Sequence, residues 1–317
     1  MLETGRIDVH HHLLTDFYIK AQQKAGISGT AYRGFPEWTP QHSLSVMENE
    51  GIATTILSFT SPGIWFGDMS ETKMLACQCN DYLANLSEHF PGRFGGFAFL
   101  PLPNIDAAIE EISRIYKELS LDGITLLTSV DNKYIGHPYF EPVFSELNRH
   151  KAVVFIHPCY PPGKEADGWD IPRMLIDYPF ETTRVAINLI LKGVLARYPD
   201  IKFILSHAGG TLPFLAHRVS IFDKMTQFKE NYSEGALYYL KRFWFDTALS
   251  GNKVPLSGLT SVADKTRILF GTDYPYISSD VVAKETAGFD AWEGFTEAEH
   301  LAVNRCNAEL LFPRFKK

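Results

Sequence analysis

Eight short runs rich in β-branched and aromatic residues recur along this chain of 317 residues. They are "GRIDVH" from residue 5, "ATTILSF" from 53, "RFGGFAFL" from 93, "DGITLL" from 122, "AVVFIH" from 152, "IKFILSH" from 201, "FWFDT" from 243 and "RILFGT" from 267. Between them lie helix signals. Thr39 and Pro40 open a helix that Gly51 closes, Ser70 can cap the run to Phe90, Asn104 can cap "IDAAIEEISRIYKEL", and Thr211 followed by Pro213 starts another. Apolar strands followed by helices, repeated eight times without a break in composition, predict an α/β fold: a (β/α)8 barrel of the TIM type, formed as one domain over residues 1–317. The stretches 13–40 and 158–179 exceed ordinary connections, so the loops after strands 1 and 5 are expected to act as lids or substrate loops.

Composition narrows the partners. With 45% hydrophobic and 21% charged residues the chain can bury a large core. Its formal charge of -7 is spread along the sequence, and no basic block is present to neutralise phosphates or hold a membrane surface. Nucleic acid and membrane are therefore not expected partners. No apolar run reaches the length of a membrane span, and a first strand near Gly5 leaves no room for a signal peptide, so a cytoplasmic location is expected. Cys77, Cys79, Cys159 and Cys306 do not form a disulfide scaffold and are read as reduced thiols without a metal role.

Active sites of such barrels gather at the carboxyl ends of the strands. Strand 1 ends in "IDVHHH", where alternation along an extended strand puts His10 and His12 on one face and His11 on the other. Strand 5 ends in His157, strand 6 in His207 and strand 8 in Asp273, each a potential ligand or base reaching the same rim. His42, His89, His137, His150, His217 and His300 show no such placement. Three imidazoles and a carboxylate suit one borderline divalent ion, Zn2+ first, with Mn2+, Fe2+ or Co2+ as alternatives. A single ion is favoured because "DGITLL" carries no lysine to bridge a pair; Lys133 lies beyond it in the loop.

The placement of "IDVHHH", "VVFIHP", "LSHAGGTLPF" and "GTDYP" resembles the amidohydrolase superfamily, in the branch of aminocarboxymuconate-semialdehyde decarboxylase. The longer segments "CNDYLANLSEHFPGRFGGFAFLPL" and "PFETTRVAINLILKGVLARYPDIKFILSHAGGTLPF" look most like the 6-methylsalicylate decarboxylases and their relatives acting on ortho-hydroxybenzoates. The resemblance implies that His10, His12 and His157 hold the metal, that Asp273 lies at or beside it, and that His207 handles a proton. It further implies a small aromatic carboxylic acid as substrate and loss of CO2 after Asp273 protonates the ring carbon. The same site could instead keep a metal-bound water and hydrolyse a lactone or amide; an inactive metal-binding barrel is the remaining alternative.

Aromatic residues near the rim would suit a flat ring: Phe59, Trp65 and Tyr160, with Phe66, Phe180 and Tyr274. Relatives acting on the nonaromatic semialdehyde carry an arginine where "WTPQHSLSVMENEGI" offers Ser43 and Ser45, which fits an aromatic monoacid better than a dicarboxylate. Arg184 could reach the rim or stand in solvent. Arg218 stands eleven residues after His207, at the spacing of an arginine that in the semialdehyde decarboxylases enters the neighbouring subunit's site. A homodimer is expected on that basis, the alternative for Arg218 being an ion pair within its own subunit.

Overall fold

The computed structural model describes residues 5–30, 33–163, 171–224 and 230–316. Eight parallel strands form one sheet in chain order: β1 (Arg6–His12), β2 (Ile52–Ser58), β3 (Phe94–Phe99), β4 (Gly123–Leu127), β5 (Val153–His157), β6 (Lys202–Leu205), β7 (Trp244–Asp246) and β8 (Ile268–Leu269). Backbone hydrogen bonds carry the sheet around to its start: Val9 donates to Phe270, Thr272 and Asp273 donate to His10, and His12 donates to Tyr274. The result is the (β/α)8 barrel. A two-stranded hairpin, Ser129–Val130 with Lys133–Tyr134, follows β4.

The helices start where side chains can satisfy their free amides. Thr39 accepts from His42 at the head of Pro40–Asn49, and Asn104 accepts from Ala107 at the head of Ile105–Arg114. The long helix Met69–His89 is capped by Asp68, whose carboxylate accepts from Glu71, rather than by Ser70. An ionised carboxylate also complements the positive end of the helix, which a serine cannot do.

The inner core holds Ile7, Val9, Ile56, Phe97, Phe155, Ile204 and Leu269. Ala308, Leu311, Phe312 and Phe315 of the C-terminal segment join that core, Phe312 meeting Phe97 at 5.8 Å. With apolar side chains filling the rest of the interior, the polar strand ends are collected at the opposite mouth.

Strict alternation fails within β1. Val9 packs in the inner core with Phe155, and the ring of the next residue, His10, also lies 5.0 Å from Phe155. The pairing of β1 with β2 shifts register between Asp8 and His11, and this irregularity turns His10 and His12 inward on a strand whose Ile7 and Val9 already face the core. Gly271 permits the close approach of β8 at this point: a Cβ there would stand 2.8 Å from the Cβ of His10.

Candidate metal and substrate site

His10, His12, His157 and Asp273 are all buried, and one ligand atom from each lies within 4.8 Å of the others. The Nε2 atoms of His10 and His12 are 3.0 Å apart, and Asp273 Oδ1 lies 3.3 Å from the first and 3.1 Å from the second. The opposite nitrogen of each ring is engaged elsewhere. His10 Nδ1 meets Asp246 Oδ2 at 2.8 Å, His12 Nδ1 meets the hydroxyl and carbonyl of Ser58 at 3.0 and 3.2 Å, and His157 Nδ1 meets the Pro158 carbonyl and Thr60 hydroxyl, both at 2.8 Å. Acceptors at Nδ1 hold the proton there and turn the Nε2 lone pairs toward one point.

Two lone pairs facing each other at 3.0 Å repel unless something positive lies between them. The spacing suits two nitrogens that each stand about 2.1 Å from a common zinc-like ion. Electrostatics point the same way. Burial pulls the His10 imidazole down, but Asp246 and Asp273 outweigh it and push its pKa up to about 10. Burial lowers His12 to about 4, only partly opposed by its bond to Asp273, and drives His157 well below its usual range, with the neighbouring imidazoles adding to the effect. Burial alone would raise Asp273, yet the imidazoles, His10 foremost, hold it well below an ordinary carboxylate. Two buried carboxylates thus converge on donors that call for one cation, and the residues fit a single divalent ion.

Asp246 was not singled out from sequence. It ends β7, completing a set of polar residues at strand ends, which is the one signal that could have found it. Its other oxygen accepts from the backbone of His207 and Ala248 at 2.9 and 3.0 Å, so it ties β1, β6 and the loop after β7 together. His207 Nε2 stands 3.4 Å from Asp273 Oδ2. Both residues have left-handed backbones, φ 54° at His207 and φ 68° at Asp273, a conformation that non-glycine residues adopt at a cost. In "HAGG", Gly210 is left-handed as well, and a Cβ would stand 2.0 Å from the Pro179 carbonyl oxygen.

His11 points away from the cluster. Its Nδ1 meets Asp8 Oδ2 and its Nε2 meets Ser43 Oγ, both at 2.9 Å, while Trp38 Nε1 donates to the same hydroxyl at 2.8 Å. Ser43 is fully buried in this network and does not line the cavity. His11→Ala should leave Asp8 and Ser43 short of a partner and lower stability by roughly 1–3 kcal/mol, yet keep its metal. Chemical denaturation together with elemental analysis checks both; loss of the ion would count His11 among the groups that hold it.

His157, His207 and Asp273 line a cavity of about 1250 Å³. Of the aromatic residues proposed from sequence, Tyr160 lines it, and its ring lies 5.6 Å from that of Tyr178. Phe59 does not: it is 1% exposed and packs in the core, because Phe17 and Tyr18 from the segment after β1 and Phe99 at the end of β3 close around its ring at 6.1, 5.0 and 6.2 Å. Trp65 lines a smaller neighbouring pocket of about 290 Å³, which shares Ser61, Pro62 and Tyr160 with the main one. Phe66, Phe180 and Tyr274 also lie outside the main cavity's lining. Tyr178, Tyr276 and Phe35, which sequence reading passed over, are in it. Arg184 pairs with buried Glu181 at 2.8 Å. Arg218 is exposed on the helix Leu212–Ile221, outside the cavity. Residues 164–170 of the loop after β5 lie outside the described residues.

The chain is 40% identical to decarboxylase yanB of Aspergillus niger, over 98% of this chain and 88% of that protein. It is 36% identical to the 6-methylsalicylic acid decarboxylase of Penicillium expansum, over 98% and 97% of the two chains. Among solved structures it matches a dihydroxybenzoic acid decarboxylase from Polaromonas, crystallised with manganese and the inhibitor 2-nitroresorcinol, with a TM-score of 0.85, 25% identity and coverage of 99% and 98%. With residues 7–314 matching the Amidohydrolase family and the barrel's strand ends assembled into one buried ligand cluster, the chain belongs to the amidohydrolase family.

Proposed function

We propose that residues 1–317 act as one catalytic domain, a metal-dependent, non-oxidative decarboxylase of an ortho-hydroxybenzoate such as 6-methylsalicylate. The observation that carries this reading is the position of Asp273, with one oxygen at the His10 and His12 nitrogens and the other at His207. A carboxylate so placed can both face a cation and exchange a proton.

A divalent ion held by His10, His12, His157 and Asp273, zinc or manganese, would supply positive charge for the substrate's carboxylate and adjacent phenol and lower the phenol's pKa. Asp273, ionised at rest, takes the phenolic proton. It delivers that proton to the ring carbon bearing the carboxylate, with His207 holding the second oxygen of Asp273. The carbon–carbon bond to the carboxylate then breaks, its electron pair returns to the ring, and CO2 leaves. The phenolate product regains a proton from water. Tyr160, which lines the cavity, would flank the ring, and the segments after β1 and β5, whose described residues contribute to the cavity wall, would serve as lids. The test is to incubate the zinc- or manganese-loaded protein with ortho-hydroxybenzoates and with lactones while recording CO2 and ring products. CO2 and a phenol are expected; hydrolysis without CO2 would overturn the reading in favour of a hydrolase.

We further infer a cytoplasmic homodimer. Among the described residues no helix is long and apolar enough to cross a membrane. Arg218, exposed and outside the cavity of its own subunit, is available to the site of a partner subunit. Mixing Arg218→Ala with His157→Ala under subunit exchange should restore part of the activity, because some sites regain both residues. No recovery in confirmed heterodimers, or a monomer in sedimentation, would assign Arg218 to the ordinary surface.

A further inference from the structure

The main cavity is larger than a singly substituted benzoate needs. At about 1250 Å³ it exceeds the roughly 300–1,000 Å³ common for sites that enclose drug-sized ligands. Besides His157, His207 and Asp273, the ionisable side chains among its described lining residues are Tyr160, Tyr178 and Tyr276; none of the described lining residues is a lysine, arginine or glutamate. Among the described lining residues, a second carboxylate or a phosphate on the substrate would therefore find no cationic side chain, the nearby Arg173 being stacked over the ring of Tyr160 at 4.7 Å.

Away from the ligand cluster the wall is mostly apolar, its polar members being small or uncharged, such as Gln22, Thr30, Thr211, Ser250 and Ser261. Ile27 and Phe35 come from the segment after β1, Leu175 from that after β5, Leu249 from the loop after β7, Val254 from the helix Lys253–Thr260, and Ile277 from the chain after β8. Leu175, Leu249 and Val254 remain 66%, 45% and 79% exposed. Apolar side chains gathered at one cavity and left facing water gain most from covering hydrocarbon.

We propose that the substrate is an ortho-hydroxybenzoate whose ring carries an alkyl chain of several carbons, lodged against Ile27, Phe35, Leu175, Leu249, Val254 and Ile277. This rests on the decarboxylase reading of the same site and names its substrate class: the bonds broken and formed are those given above, and the chain takes no part in them.

The experiment measures CO2 release by the manganese-loaded wild-type protein from 6-methyl-, 6-propyl- and 6-pentylsalicylate. kcat/KM should rise about threefold to fourfold for each methylene that becomes buried, chiefly through KM. Val254→Trp should lower the pentyl-to-methyl ratio of kcat/KM. The inhibition constants of the corresponding 3-alkylphenol products, read on wild-type protein, should show the same chain-length order without any variant. Turnover of 6-methylsalicylate with a flat or falling series, or a ratio unchanged in folded Val254→Trp, would overturn the alkyl-chain assignment and leave the decarboxylase standing. No CO2 from any member, in protein with full metal occupancy, would overturn both.

Discussion

Asp273→Asn should bind an ortho-hydroxybenzoate and leave its carboxylate in place, with turnover lower by the factor of about 100 to 10,000 that accompanies loss of a general acid or base. The physical basis is the double engagement of the wild-type side chain, Oδ1 at the His10 and His12 nitrogens and Oδ2 at 3.4 Å from His207. An amide preserves the shape and one acceptor oxygen but cannot take up the phenolic proton and hand it to carbon. Because Asp273 also belongs to the ligand cluster, the variant's metal content is measured alongside, and the comparison is made at equal occupancy. Wild-type product formed in D2O should carry deuterium at the vacated ring position. His207→Ala should be slowed within the same range. Near-normal turnover in Asp273→Asn, or product free of deuterium, would remove the residue from the proton path.

His157→Ala should lose most of its bound metal and all measurable activity while keeping the barrel, and His10→Ala and His12→Ala should behave alike. Each of these imidazoles is buried with one nitrogen anchored and the other aimed at the common point, so each substitution removes one preoriented ligand. Asp246→Asn should keep the fold and weaken metal binding about 10- to 100-fold, the usual effect of losing a carboxylate behind a ligating histidine. Affinity should also rise with pH. The His10 pKa near 10 means that at neutral pH the metal-free cluster holds a proton there, and the incoming ion must displace it. Below that value each unit of pH gained should favour the ion by up to tenfold for that one proton. Elemental analysis of the variants and metal titrations at several pH values provide the measurements; full occupancy in His157→Ala would take β5 out of the site.

Much of this was legible in the sequence because the barrel ties periodicity to position. Apolar runs alternating with capped helices specify eight strands, and the rule that chemistry gathers at their carboxyl ends then selects His10, His12, His157, His207 and Asp273 without knowledge of any contact. Alternation also separated His11 from its two neighbours. Local signals reached only so far. Both Asp68 and Ser70 can cap the helix that follows β2, and the structure uses Asp68.

By itself, then, the sequence determined the strand order, the rim and the residues delivered to it, since each follows from a local pattern repeated along the chain. Tertiary structure decided what lies behind and around them. Asp246 became visible as the anchor of His10 only when β7 and β1 met across the barrel. The register shift that turns His10 inward beside Val9 depends on pairing with β2. The cavity wall went to Tyr178, Tyr276 and Leu249 while Phe59 went to the core and Trp65 to the smaller pocket. A loop aromatic has no period to fix its direction: which pocket it fills is set by the path of its own loop and by the neighbours that remote segments bring against it.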